Sequence, residues 1–231
     1  MPRRPRMYLP GIPAHIVQRG NNREPCFFSD DDYRFYLDRL GQVLKRYRVQ
    51  LHAYVLMTNH VHLLMTPEDT VGISKVMSLL GQHYVQYINV TYRRSGTLWE
   101  GRHKASIINA DEYMLRCYRY IELNPLRAGM VASPVEYLWS SYRHHAWGKD
   151  NPLIQDHFLY LALGLTAEAR YHAYRELFKI ELSDKAIHTI RQASHYNYPL
   201  GNDRFREKIE DTLKRQVGQA KRGRPRNDTI D

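Results

Sequence analysis

The sequence predicts an α+β fold: an antiparallel sheet with helices packed on one face, followed by a mainly helical C-terminal extension. Three observations carry this. Short alternating apolar runs and long amphipathic runs follow one another in the order β-α-β-β-α-β-α. Two of the short runs are joined by only two residues. The character of the chain changes near Pro134. Short strands around two long helices fit a ferredoxin-like, split βαβ arrangement.

Ala14 to Arg19 alternates and reads as the first strand, closed by the turn residues Gly20-Asn21-Asn22. Asp30-Asp31-Asp32 precede Phe35, Leu37, Leu40, Val43 and Leu44. This is a helix with acid at its positive end, and the triplet reads as a cap rather than a metal site. Gln50 to Met57 and His60 to Met65 form a hairpin turned at Thr58-Asn59. Gly72 to about Arg93 carries Ile73, Val76, Leu79, Leu80 and Val85 at helical spacing. Ala105 to Ile108 is the fourth strand. Asp111 to Asn124 is a helix that starts at an Asp cap and stops at Pro125, because the residue before proline disfavours the α region. Beyond Pro134 come helical segments rich in Tyr, His and Trp, then amphipathic helices at Thr166 to Phe178 and Asp203 to Val217. The expected division is residues 1–145 as a catalytic domain and 146–231 as a helical extension ending in a disordered basic tail from about 218.

Composition narrows the function. The 231 residues include 34 Lys+Arg and 24 Asp+Glu, a formal charge of +10, which points to a polyanionic partner and most simply to nucleic acid. The two cysteines, Cys26 and Cys117, exclude a disulfide scaffold and a four-cysteine zinc site and read as reduced core residues. No apolar stretch is long enough to span a membrane, and the basic opening lacks the apolar run of a signal peptide. The expectation is a cytoplasmic, nucleoid-associated protein without a membrane partner. A phosphate-cradling GxxxxGK[ST] loop does not occur, which excludes a P-loop ATPase or GTPase.

His60-Val61-His62 is the sharpest chemical feature. Alternation along a strand puts the two imidazoles on one face, roughly 7 Å apart, with Val61 turned to the other. Two imidazoles so placed can share a divalent metal; the plain alternative is a polar strand surface. His15 and His52 also fall on strands and read as ordinary polar surface residues. In the third helix Tyr113, Cys117, Tyr120 and Asn124 form one stripe. Such a stripe commonly belongs to the core, yet Asn124 sits poorly in a pure core face. Tyr120 and Asn124, one turn apart, can present a phenol and an amide oxygen to one point. If that point is a metal on His60 and His62, the set suits phosphoryl transfer on nucleic acid. Glu122 lies about 200° around the helix from Tyr120 and is not counted as a ligand.

These residues resemble a known family. His60-Val61-His62 is similar to the HUH motif of single-tyrosine transposases. The run from Tyr120-Ile121-Glu122-Leu123-Asn124-Pro125 through Leu126-Arg127-Ala128-Gly129 resembles the nucleophile segment of the REP-associated tyrosine transposases. Leu98-Trp99-Glu100-Gly101-Arg102 and Ile16-Val17-Gln18-Arg19-Gly20-Asn21-Asn22 resemble further segments of that branch, and the likeness covers about residues 8–145. The resemblance implies a ferredoxin-like domain that cuts single-stranded DNA near REP- or BIME-like hairpins, as a monomer or homodimer. It implies that Tyr120 attacks the scissile phosphate, leaving a 5′-phosphotyrosine and a free 3′-OH. His60 and His62 would bind Mg²⁺ or Mn²⁺, with Asn124 standing where many relatives carry Gln.

Single-stranded DNA is held by basic grooves and aromatic platforms. The candidate contacts are Arg19, Asn22, Arg93, Arg94, Trp99, Arg102 and Arg127, with Arg222, Arg224 and Arg226 in the tail. Gly223-Arg224-Pro225-Arg226 suits a narrow minor groove, or is a solubilising tail. Two rival readings stay open: a metal-dependent nuclease that activates water, and a non-catalytic nucleic-acid-binding protein.

Overall fold

The computed structural model describes residues 6–214, 216 and 217. Its first half follows the predicted order: β1 (Ala14–Arg19), α1 (Asp30–Arg46), β2 (Val49–Met57), β3 (His60–Pro67), α2 (Gly72–Thr91), β4 (Lys104–Ile107) and α3 (Ala110–Glu122). The sheet order is β2-β3-β1-β4, with every pair antiparallel. β3 is therefore inserted between β1 and β2, the two strands that α1 connects, which is the split βαβ arrangement. Of the acidic triplet, Asp32 belongs to the helix cap and Asp30 and Asp31 lie in the first turn. Ser29 and Asp32 form a capping box, and the buried Asp32 carboxylate accepts the Phe28 and Ser29 amides at 2.7 and 3.0 Å. Gly20 is needed where β1 ends, because a Cβ there would sit 2.2 Å from the Glu24 carbonyl oxygen.

The expectation of helices on one face is corrected. On one face α1 and α2 pack on Ile16, Leu56, Val61, Leu63, Met65 and Ile107. On the other, α3 places Met114, Cys117, Tyr118 and Ile121 against Ala53, Val55, Met57 and Leu64. The central strands are buried on both faces, so each needs cover on both. Both cysteines are free and buried.

α3 stops two residues before the expected Asn124, and the chain resumes as α4 (Asn124–Arg127) with Pro125 in its first turn. Beyond it lie α5 (Tyr142–Trp147), α6 (Phe158–Leu161), α7 (Ala167–Lys179), α8 (Asp184–Tyr196) and α9 (Asp203–Leu213). Thr166 caps α7 through its side chain, as its residue type favours. α9 ends four residues before the expected Val217, at a left-handed Lys214. Tyr160, Tyr174 and Ile190 from these helices share the α3-side core, so the extension is built onto that face of the sheet. Among the described residues no helix is long and apolar enough to cross a membrane.

Candidate active site

β3 sets the site by alternation. Val61, Leu63 and Met65 enter the α1–α2 core, which turns His60 and His62 toward α3. On β1 the register opposes Arg19 to His60 and Val17 to His62, so His15 lies on the same face. His15 is only 1% exposed, and its Nε2 lies 2.8 Å from His62 Nδ1 with the rings stacked at 5.0 Å. Its Nδ1 lies 2.9 Å from the Ser194 hydroxyl on α8. His15 is thus no surface residue. Neither is His52, buried with Nδ1 2.7 Å from the Gln155 carbonyl and Nε2 2.8 Å from the Thr66 hydroxyl.

The bonds on Nδ1 define the free atoms. The His60 Nδ1 proton is donated to Asn59 Oδ1 at 2.7 Å, and His62 Nδ1 is taken by His15. Each imidazole keeps Nε2 for the cavity side, the ligand arrangement that supporting hydrogen bonds fix in metal-binding histidines. Burial pushes the His15 pKa down to about 3 and His60 to about 4, and holds His62 well below the usual histidine range. Nearby His15, His60, Arg127 and Arg19 add to the effect at His62. All three rings are neutral at pH 7, as metal ligation requires.

α3 delivers the tyrosine. The Tyr120 ring stands edge-on to His15 and His62, with centroids 5.7 and 5.8 Å away. Pro125 has no N–H for the Ile121 carbonyl, and the Asn124 side chain compensates. Its Nδ2 donates to the Tyr120 and Ile121 carbonyls at 2.9 and 3.3 Å, leaving Oδ1 as the amide atom able to ligate. Arg127 also donates to the Tyr120 carbonyl, and its guanidinium lies 4.6 Å over the Tyr120 ring. Two of its nitrogens, Nε and Nη1, are buried with no partner among the described residues. Burial lowers its pKa to about 10, with Tyr120 opposing. Such a partly buried guanidinium with free donors has the chemistry to hold an anion.

His15, His60, His62, Tyr120, Asn124 and Arg127 line one open cavity of about 960 Å³. Arg6, Arg19, Arg102, Lys104 and Arg191 add positive charge to its wall, against, among the described residues, the single carboxylate of Glu100. Such a chamber attracts a polyanion. The family model for IS200-like transposases matches residues 9–124, a span that runs from before β1 to Asn124 and holds both imidazoles and the tyrosine. The chain belongs to the IS200-like transposases. These transposases are enzymes that cut and join DNA. No curated protein matches this one.

Among solved structures, a REP-associated tyrosine transposase bound to a REP hairpin is similar to this transposase at 18% identity and a TM-score of 0.55, over 68% of this chain and 99% of that one. A candidate transposase from Deinococcus radiodurans R1 shows 16% identity and a TM-score of 0.36, over 51% of this chain and 95% of that one. A bacterial tRNA(His) guanylyltransferase-like protein in complex with GTP shows 12% identity and a TM-score of 0.35, over 54% and 71%. The first match agrees with the fold derived above.

The other predicted contacts do not gather here. Arg93 and Arg94 follow the end of α2, with Arg94 5.5 Å from the Phe28 ring, and Asn22 lies in the turn after β1. None of the three lines the cavity. Trp99 is a correction: it is 7% exposed and packs 5.9 Å from Tyr84, so it belongs to the core and offers no face to a base. Arg222, Arg224 and Arg226 lie outside the described residues. Sequence reasoning missed His15, Ser194 and Arg191 in the site. His15 had a signal: it shares the period of Val17 and Arg19, which pair opposite the two imidazoles. Ser194 and Arg191 had none.

Proposed function

We propose that this transposase nicks and rejoins single-stranded DNA at REP-like hairpins through a 5′-phosphotyrosine on Tyr120. The observation that carries the reading is the Tyr120 ring set between two buried imidazoles and a guanidinium with two unpartnered nitrogens. His60 Nε2, His62 Nε2 and Asn124 Oδ1 are the atoms that would hold Mg²⁺ or Mn²⁺. Neutral imidazoles and an amide oxygen fit a hydrated divalent ion that keeps positions for phosphate oxygens. When bound, such an ion polarises the scissile phosphate.

The chain's own groups do the rest. Arg127 Nε and Nη1 hold non-bridging phosphate oxygens beside the phenol. The Tyr120 oxygen loses its proton and attacks phosphorus. The P–O3′ bond breaks and the 3′ oxygen takes up a proton. Rejoining is the reverse attack by a 3′-OH, which needs no nucleotide because the phosphotyrosine keeps the bond energy. Arg19, Arg102 and Arg191 guide the strand. Residues 1–145 carry the chemistry and 146–231 the further DNA contacts, and the protein works on nucleoid DNA in the cytoplasm. The hairpin bound to the REP-associated structure supports the choice of substrate.

The test is a labelled hairpin oligonucleotide incubated with Mg²⁺ and run on a denaturing gel. The wild-type protein leaves a covalent adduct. Tyr120→Phe keeps the ring and its Arg127 contact but loses adduct and cleavage by at least ~10⁴-fold, as removal of a nucleophile does elsewhere. Continued cleavage by Tyr120→Phe without adduct would assign the site to an activated water instead.

A further inference from the structure

Glu122 follows Tyr120 by two residues and faces away from the cavity into the core. Its carboxylate is fully buried and accepts three hydrogen bonds, from the Ser141 hydroxyl at 2.6 Å, His145 Nδ1 at 2.7 Å and the Tyr174 hydroxyl at 2.6 Å. With Nδ1 committed, His145 turns Nε2 toward Asp156, 3.9 Å from Oδ1. That Nε2 is fully buried and has no hydrogen-bond partner among the described residues. The preceding residue repeats the pattern. The His144 Nδ1 proton is donated to the Lys149 carbonyl at 3.2 Å, and Nε2 lies 3.1 Å from the same Asp156 oxygen. One donor atom from each of the three side chains lies within 4.8 Å of the others.

Two imidazoles, each tied at Nδ1 to a carboxylate or carbonyl, thus aim Nε2 at one carboxylate oxygen. That is the support that orients histidine ligands on a metal. Two lone pairs aimed at a carboxylate repel unless a cation lies among them. His145 Nε2 in particular stands unpaired in a dry place, an arrangement that a bound cation would satisfy.

We propose that His144, His145 and Asp156 form a second metal site, separate from His60 and His62, which takes a zinc-class divalent cation. Zinc bonds of about 2.0–2.1 Å in a tetrahedron set ligand atoms roughly 3.4 Å apart, close to the 3.1 and 3.9 Å found here. Two imidazoles and a carboxylate leave one tetrahedral position for water, a ligand set and number characteristic of zinc. The site ties α5 to the segment around Asp156. That segment is anchored on β2, where the Gln155 amide donates to the Leu51 carbonyl at 2.8 Å. Through Glu122 it braces the helix that carries Tyr120. All three ligands lie beyond residues 9–124, so the site belongs to the part of the chain outside the family match.

The test uses full-length protein carrying His60→Ala and His62→Ala, which removes the first pair. After chelator treatment and dialysis, Zn²⁺ is titrated by calorimetry, and Co²⁺ is followed by visible absorption. The expected result is one bound equivalent, tetrahedral cobalt bands and a higher melting temperature with zinc. Adding Asp156→Asn or His144→Ala, both at partly exposed positions that tolerate change, removes the bound equivalent and the bands. Displacement of the zinc by a millimolar excess of Mg²⁺ would overturn the metal class. Absence of zinc binding in the parent, or equal binding by the two further variants, would overturn the site.

Discussion

The two faces of the sheet are made from the same four strands and bury different things. Under α1 and α2 the face is almost wholly apolar, with Ile16, Leu56, Val61 and Leu63 fully buried and Gln18 its buried polar residue. Under α3 it is apolar at Ala53, Val55 and Leu64, then polar at His15, His60 and His62. Along β3 the two characters alternate residue by residue. A slip of one residue would send both imidazoles into the apolar core and two aliphatic side chains into the cavity. The α1–α2 core therefore holds the register that places both imidazoles in the cavity.

The sharpest way to break this comparison is to change neighbours on β3. His62→Ala should lower metal-dependent nicking by more than ~100-fold, since losing a ligand costs more than the 10–100-fold typical of losing a ligand's support. Its melting temperature should stay within a few degrees of wild type. Leu63→Ala should do the opposite. It opens a hole in a fully buried position and should cost about 2–5 kcal/mol in denaturant unfolding. Its folded fraction should nick normally. If His62→Ala unfolds as readily as Leu63→Ala, the two faces do not divide stability from chemistry.

The same comparison explains what the sequence made legible. His60-Val61-His62 could be read because both imidazoles lie in one strand, where a period of two is the whole geometry. The caps of α1 and the stop of α3 near Pro125 could be read because they are local. The side of the sheet that α3 covers is not local. The clue lay in β2 and β3, whose apolar residues fall at both parities, a pattern that calls for cover on both faces. His15 was hidden because a histidine in an alternating strand reads as a wet one until its partners are known, and those partners are His62 and Ser194, 47 and 179 residues away. Trp99 was misjudged for the complementary reason. Proximity to Arg102 in sequence suggests a stacking platform, whereas the ring is buried against Tyr84, a residue 15 positions away on α2.

His15 sharpens the comparison at intermediate size. His15→Phe keeps the stacked ring and removes both nitrogens, so His62 Nδ1 loses its acceptor. Mg²⁺ or Mn²⁺ affinity should fall roughly 10–100-fold, read as the metal concentration giving half-maximal nicking. Saturating metal should restore most of the rate. An unchanged metal requirement would mean that His15 only fills space.

Ser194→Ala is the smallest expected effect and bears on the extension. Ser194 lies on α8, and its hydroxyl is the partner of His15 Nδ1 at 2.9 Å. For His62 to present Nε2 to a metal, its Nδ1 proton must go to His15 Nε2, and the His15 Nδ1 proton to Ser194. Removing the hydroxyl leaves a buried N–H unpaired, which should weaken metal binding by about 1 kcal/mol, roughly fivefold. The informative measurement is the double variant. Ser194→Ala added to His15→Phe should change nothing further, because the hydroxyl acts through a nitrogen that is already gone. An additive loss would instead make Ser194 a contact for DNA in its own right, and α8 part of the strand's binding surface rather than the far end of a histidine relay.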